Sequence, residues 1–315
     1  MTSSTENLPV NLALSATPDP GALRYLLGVD GGGSGTRVVL ADLQGRELAR
    51  AAAGPSGLAL GRAAAWRAIE AAIAAAFQAA GLVQPHAAAL ALACGLAGVN
   101  NVQWAAELMA QNPGYGLVVA ETDAYTSLLG AHAGQAGVVV ALGTGSVAQV
   151  LHADGSRREV GGWGFPVGDE ASGAWLGMRA MNFLQRVLDG RAAANTFSLA
   201  LLAQCGGDKD GVFAWLAQAK QTRFASLAPL VIEHAATQDV ARDMLLEAGR
   251  DVELMVAALD PTQSLPVAVC GGLAAAISPF LPPALQQRLQ PAKGDSASGA
   301  LILIRDHIDQ SNRKD

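Results

Sequence analysis

One pattern occurs twice in this chain and narrows its possible folds more than any other feature. In the first copy the apolar run Tyr25–Asp30 meets the turn Gly31-Gly-Gly-Ser-Gly35. The strand-like stretch Thr36–Asp42 follows and, after Gln44-Gly45, so does Arg46–Ala53. In the second copy Gly137–Leu142 meets Gly143-Thr-Gly-Ser146, then Val147–His152 and, past the turn Asp154-Gly155, Arg157–Gly161. Each copy reads as three strands joined by tight turns, because glycine accepts the positive φ that such turns require. Dinucleotide-binding and P-loop folds place a helix directly after their glycines. Here Val38, Val39 and Leu40, β-branched or bulky, favour a second strand instead.

The rest of the first half alternates. Ala63–Ala80 is rich in the best helix former, with Trp66, Ile69, Ile73 and Phe77 on one face and Gly81 placed to stop it. A buried strand Ala87–Leu96, a helix Asn101–Gln111, a strand Gly116–Ala120 and a helix Ala124–His132 are expected next. The order is β-β-β-α-β-α-β. After the second copy the pattern turns helical, over Ser172–Leu188, about Thr196–Ala203, Gly211–Lys220 and an interrupted Ser226–Ala258. A late strand Leu265–Cys270 runs into Gly271-Gly272 and a helix from Leu273, and a last helix spans Ser298 to about Asp309. The fold class is therefore α/β with an internal duplication dividing near residue 134. Residues 1–23 are expected as a flexible leader. The N-terminal lobe is expected at 24–133, completed by the C-terminal helix 298–315, and the C-terminal lobe at 134–297.

Composition excludes several classes. The chain has 315 residues, 51% of them hydrophobic and 15% charged, enough for two cores and too apolar for intrinsic disorder. Lys and Arg number 21 against 27 Asp and Glu, and without a basic block a net charge of −6 argues against nucleic acid or an anionic membrane as partner. No apolar run is long enough to span a bilayer. Cys94, Cys205 and Cys270 lack metal-knuckle spacing, and the five histidines are scattered. A reduced, cytoplasmic setting is expected.

The glycine clusters carry the chemistry. In Asp30–Thr36 the bare backbones of Gly32 and Gly33 can approach phosphate oxygens, Ser34 and Thr36 add hydroxyls, and Asp30 can hold Mg²⁺, through water, beside the phosphates. Gly143, Thr144, Gly145 and Ser146 repeat that chemistry. Either loop alone is also an ordinary hairpin; the pair is harder to explain that way. Asp123 lies where a strand ends and a helix begins, and reads either as a helix N-cap or as a general base, with Glu121 as nearby competitor. The loop Gly161–Gly173 mixes flexible backbone with Trp163, Phe165, Asp169, Glu170 and Ser172, the ingredients of a sugar site. The alternative is a buried Trp163 and an Asp169 that caps the following helix. Gly271-Gly272 leaves a turn bare enough for a flat adenine, or is only the start of a helix.

Together these motifs resemble the sugar kinase/actin/Hsp70 ATPase superfamily. Within it the chain is similar to the bacterial N-acetylglucosamine and glucosamine kinase branch of the BadF/BadG/BcrA/BcrD ATPase group. The matching stretches are Thr122-Asp-Ala-Tyr125 with Leu129-Gly-Ala-His132, Gly162-Trp-Gly with Gly168-Asp-Glu, and Ser296-Ala-Ser-Gly-Ala-Leu301. The resemblance implies a two-lobed, actin-like (ribonuclease H-like) fold with a central cleft. It implies ATP and Mg²⁺ as cofactors, an amino-sugar acceptor phosphorylated at its 6-hydroxyl, and a homodimer. Carried over, Asp123 is the base, Gly162, Trp163, Asp169 and Ser172 face the sugar, and Gly271 and Gly272 border the adenosine. One departure stands out: Gly57 falls where the family has an Asn on a sugar hydroxyl, which leaves Ser56 or the backbone to replace it. Two other readings are an ATPase activator of a 2-hydroxyacyl-CoA dehydratase, which needs cluster-binding cysteines, and a sugar sensor, which needs a DNA-binding domain.

Overall fold

The structure is a computed structural model and describes residues 12–14 and 22–312. The chain forms two compact units. The first comprises residues up to Gly137 together with Leu151–Arg157 and Pro291–Asp315; the second comprises Val138–Val150 and Arg158–Gln290.

In chain order the first unit contains β1 (Leu12–Leu14), β2 (Tyr25–Gly31), β3 (Thr36–Ala41), β4 (Glu47–Ala53), α1 (Arg62–Ala79), β5 (Leu90–Leu96), α2 (Val102–Ala110), β6 (Leu117–Glu121) and α3 (Asp123–His132). Its six-stranded sheet has the order β1-β6-β5-β2-β3-β4. The pairs β2/β3 and β3/β4 are antiparallel, as the glycine hairpin requires, while β2/β5 and β5/β6 are parallel. The leader is not featureless: Leu12–Leu14 pairs antiparallel with Val118–Ala120 and closes that edge of the sheet. The rest of residues 1–21 lies outside the described residues.

Both faces of this sheet are covered, which explains why its strands read as nearly unbroken apolar runs. Leu27, Val29, Val38, Leu40, Leu92 and Val118 point to one face, where they pack with Trp66, Ile69, Ile73 and Phe77 of α1 and Leu108 of α2. The alternating positions Leu26, Val39, Ala91, Ala93 and Val119 point to the other. Ala41, Ala91 and Ala93 keep part of that second face shallow, and the final helix lies close against it. A Cβ on Gly28 of β2 would stand 2.1 Å from Ala297 O, and one on Gly130 of α3 would stand 2.0 Å from Asp295 O. Positions 269 residues apart (Gly28 and Ala297) and 165 residues apart (Gly130 and Asp295) are thus locked together by backbone contact that only glycine permits.

The second unit continues with β7 (Gly137–Leu142), β8 (Ser146–Leu151), β9 (Arg157–Gly161), α4 (Gly173–Leu188), α5 (Thr196–Gln204), α6 (Lys209–Ala217), α7 (Gln221–Ala225), α8 (Ala228–His234), α9 (Asp239–Leu259), β10 (Val267–Cys270), α10 (Ala274–Ile277) and α11 (Pro283–Gln286); the last helix, α12 (Ser296–Asn312), belongs to the first unit. Its sheet has four strands in the order β10-β7-β8-β9, with β10 parallel to β7. The repeat is therefore visible in the three opening strands and one parallel strand of each unit, while the second unit spends most of its length on helices. Among these, α8 and α9 are separated at residues 235–238, the expected interruption of Ser226–Ala258. Trp175, Phe183, Phe197, Trp215 and Leu245 fill the core they share.

Candidate active site

In the first unit the parallel register sets strand ends side by side: Gly31 pairs with Leu96 and Gly95 with Glu121. The first glycine loop and the Thr122-Asp123 turn therefore emerge from one sheet edge, the carboxyl end of the strands, where open α/β sheets bind ligands.

The first loop is held from below. Gly32 N donates to Gly35 O at 3.0 Å, and the amides of Ser56 and Gly57 donate to Gly32 O at 3.1 and 2.9 Å. Thr36 Oγ1 lies 2.6 Å from Gly54 O and 2.7 Å from Ser56 Oγ, and both side chains are fully buried. This corrects two expectations. A hydroxyl has one proton to give, and Thr36 spends it inside the fold, so it staples the loop instead of facing a phosphate. Ser56 is the other half of that staple and does not reach a sugar. Gly31 is demanded by the same packing, since its Cβ would meet Ser56 Oγ at 2.0 Å. Gly32 and Gly33 are different: no atom lies within 4 Å of an added Cβ at either, and neither has positive φ. Nothing in the fold requires glycine there, and the open space suits a ligand that approaches the backbone. Ser34 is exposed beside them.

Asp30 forms an ion pair with Arg37 at 3.2 Å. Burial nevertheless lifts its carboxyl above the usual range, with Ser296 and Arg37 opposing the rise and Asp295 adding to it. A single carboxylate beside a phosphate cradle suits Mg²⁺, which keeps most of its waters and takes one or two protein oxygens. Among the described residues no group of three or more His, Cys, Asp or Glu is placed to hold a metal by itself. The raised value has a consequence for stability. Asp30 is easiest to bury when protonated, so its contribution is fully present below the ordinary carboxylate value and is lost as pH rises through the raised one. Asp30→Asn should therefore raise the Tm at neutral pH, and the gain should vanish by about pH 3, below the usual Asp pKa. Thermal melts of both proteins at the two pH values check this; a lower Tm for the variant at neutral pH would contradict it.

Asp123 is the first residue of α3 but not its cap. Thr122 occupies the cap position and its Oγ1 accepts from Tyr125 N at 3.2 Å. One of the two readings of Asp123 is thereby removed. Its Oδ1 accepts from Ala124 N at 3.0 Å, and the side chain is half-buried. Glu121, the competitor, is buried and paired with Arg157 at 2.8 Å.

In the second unit, the register Cys270↔Ala141 sets Gly271-Gly272 beside Leu142-Gly143, so the second glycine loop and the bare turn are neighbours. Gly271 has φ +94°, its Cβ would meet Leu142 O at 2.3 Å, and Leu273 N donates to that same oxygen at 3.1 Å. Gly271 is therefore required by the fold. Gly272 has nothing within 4 Å. Gly143 O and Thr144 O accept from Gly173 N (2.8 Å) and Ala174 N (3.2 Å), which ties the loop to the first turn of α4. Thr144 is exposed, whereas Ser146 is buried and donates to Glu170 O at 2.6 Å, a second hydroxyl turned inward and away from any phosphate.

The Gly161–Gly173 loop also departs from expectation. Trp163 is 84% exposed and not a core residue, and Val167 beside it is 88% exposed. Gly162 is exposed at φ +69°. Asp169 does not cap α4; Ser172 does, fully buried, accepting from Trp175 N at 3.2 Å. Ser172 is thus the cap of α4, with its side chain turned inward. Asp169 is 4% exposed, at φ +64°, and its Oδ2 accepts from Gln221 Nε2 at 2.7 Å. Burial raises its carboxyl, and the amides of Ser146 and Gly164 oppose the rise. A Cβ on Gly145 would meet Asp169 Oδ2 at 2.9 Å. The acid therefore joins the second glycine loop, the Trp163 loop and α7. Gln221 was not legible in the sequence: it stands 52 residues from its partner and belongs to no motif.

Comparison with known proteins decides the family. Residues 27–288 match the profile of the BadF/BadG/BcrA/BcrD ATPase family. The chain belongs to that family. Glucosamine kinase GspK of Vibrio cholerae is 29% identical over 282 residues, covering 89% of this chain and 95% of that protein. The structure of a candidate N-acetylglucosamine kinase from Chromobacterium violaceum is 50% identical with a TM-score of 0.86, covering 90% of this chain and 99% of that one. A ROK family glucokinase from Streptomyces griseus, in complex with glucose and AMPPNP, shares the fold at 19% identity and a TM-score of 0.52, covering 90% and 99%. The expected actin-like ATPase architecture is thus the one this family member has. Its thiols do not suit a cluster-binding activator: Cys94 and Cys205 are buried and Cys270 is half-buried. Among the described residues no helix is long and apolar enough to cross a membrane.

Proposed function

We propose that this protein transfers the γ-phosphoryl group of ATP to the 6-hydroxyl of N-acetylglucosamine or glucosamine. The observation that carries the reading is Asp123: a half-buried carboxylate at the carboxyl edge of the parallel strands, with the helix cap supplied by Thr122. Its Oδ atoms take the proton of the attacking hydroxyl, a general-base role. The bare backbones of Gly32, Gly33 and Gly143, with the exposed Ser34 and Thr144, receive phosphate oxygens, and Gly272 borders the adenosine. Asp30 would hold Mg²⁺ through water, and the ion would supply charge neutralisation beside the phosphates. Catalysis is then mostly positioning and electrostatics. Trp163, with Gly162 at its side, offers an apolar face to the sugar ring, and Asp169 orders the loop that carries it. The names borne by the relatives support an amino sugar and divide between the free amine and its acetyl derivative.

The test is ATP-dependent phosphorylation of N-acetylglucosamine, glucosamine and glucose, with the 6-phosphate identified as product. Both amino sugars should show a higher kcat/KM than glucose. A glucose value equal to or above both would leave a general hexose kinase and sink the amino-sugar assignment.

A further inference from the structure

We infer that Arg157 is a positioning residue for Asp123, an inference that rests on Asp123 being the base. Glu121 ends β6 two residues before Asp123, and its carboxylate is 2% exposed. A buried charge needs a partner, and Arg157 Nη2 supplies it at 2.8 Å. The same guanidinium lies over the ring of Tyr125, 4.2 Å from its centroid. Arg157 therefore grips the chain two residues before Asp123 and two residues after it.

The short bonds between those two grips leave the turn little freedom. Thr122 N donates to Glu121 Oε2 at 3.2 Å, and Tyr125 N donates to Thr122 Oγ1 at 3.2 Å. Thr126, one residue further on, meets Ser296 of α12 with its hydroxyl at 2.7 Å. Asp123 is the middle residue of this clamp: the fixed backbone sets the direction of its Cα–Cβ bond, and the 3.0 Å bond from Ala124 N to Oδ1 orients the carboxylate on it. Stability alone is a weak reason for such a pair, because apolar residues of similar volume are often as stable as a buried ion pair. What the pair adds is a directed, two-sided hold on one turn. Arg157 comes from the second repeat, at the start of β9, yet it packs as the last residue of the Leu151–Arg157 stretch of the first unit. The motifs around Asp123 gave no hint of it.

Phosphorylation of the preferred amino sugar should be followed in Arg157→Met, Arg157→Lys, Asp123→Asn and the double variant Arg157→Met/Asp123→Asn, with thermal melts of each. A displacement of about 1 Å in a reacting group can cost about 10²-fold, so Arg157→Met should lose about that in kcat while KM for ATP stays put. Arg157→Lys keeps the charge beside Glu121 and should recover part of the loss. In the Asp123→Asn background, Arg157→Met should cost nothing more, because there is no base left to aim. A wild-type kcat in Arg157→Met, or the same full loss in both backgrounds, would overturn the proposal. Should Arg157→Met fail to fold, Arg157→Lys decides: a reduced kcat at unchanged KM supports positioning, and a wild-type kcat refutes it. The two readings separate cleanly. An active Asp123→Asn removes the base and the positioning role together, whereas an inactive Asp123→Asn beside a wild-type Arg157→Met removes the positioning role alone.

Discussion

Replacing Asp123 by Asn should lower kcat for amino-sugar phosphorylation by about 10²–10⁴-fold, the range typical of a lost general base. The amide keeps the shape and can still accept from Ala124 N, as Oδ1 does now at 3.0 Å. It cannot take a proton. The cap of α3 is on Thr122, so the helix should not fray and the Tm should stay near that of the parent. ATP affinity, which depends on the glycine loops, should also survive. Rate, melting temperature and nucleotide affinity measured on one preparation give the result. A variant with wild-type kcat would reduce Asp123 to a structural residue, and a collapsed Tm would mean that the loss of rate says nothing about chemistry.

Gly272→Val should weaken nucleotide binding strongly without loosening the fold. Overpacking typically costs about 1–3 kcal/mol, which is roughly 5- to 150-fold in affinity. The side chain would enter open space: nothing of the protein lies within 4 Å of its Cβ, and Gly272 does not have positive φ. The strain should therefore appear only when a nucleotide arrives. The neighbouring Gly271 serves as contrast, since its Cβ would lie 2.3 Å from Leu142 O at φ +94° and any side chain there should destabilise the unit itself. Calorimetric titration with a non-hydrolysable ATP analogue, alongside thermal melts, distinguishes the two glycines. Unchanged affinity in a folded Gly272→Val protein would remove this turn from the nucleotide site.

The same distinction marks how far the loops could be read in advance. Glycine spacing located the two turns and the strands around them, because local backbone conformation follows from local residues. It could not say which glycines serve the fold and which leave room. Gly28 and Gly130 are required by backbone atoms of residues 295–297, and Gly31 by the Ser56 hydroxyl. Hydroxyls misled in the same way. Thr36, Ser56, Ser146 and Ser172 all sit in motifs that suggest ligand contact, and all four turn inward to satisfy buried polar groups. Ser34 and Thr144, which look no different in sequence, are exposed.

By itself the sequence determined the α/β class, the doubled three-strand opening, the break before α9 and the place of Asp123 at a strand end, since each depends on periodicity and turn chemistry within a few residues. Only the tertiary structure decided that Thr122 caps α3, that Asp169 is held by Gln221, and that Arg157 clamps the turn around Asp123. For the two side-chain pairings the physical reason is shared. The partners lie 52 and 36 residues apart, and their pairing is fixed by which buried charges must find a neighbour once the strands and helices have packed.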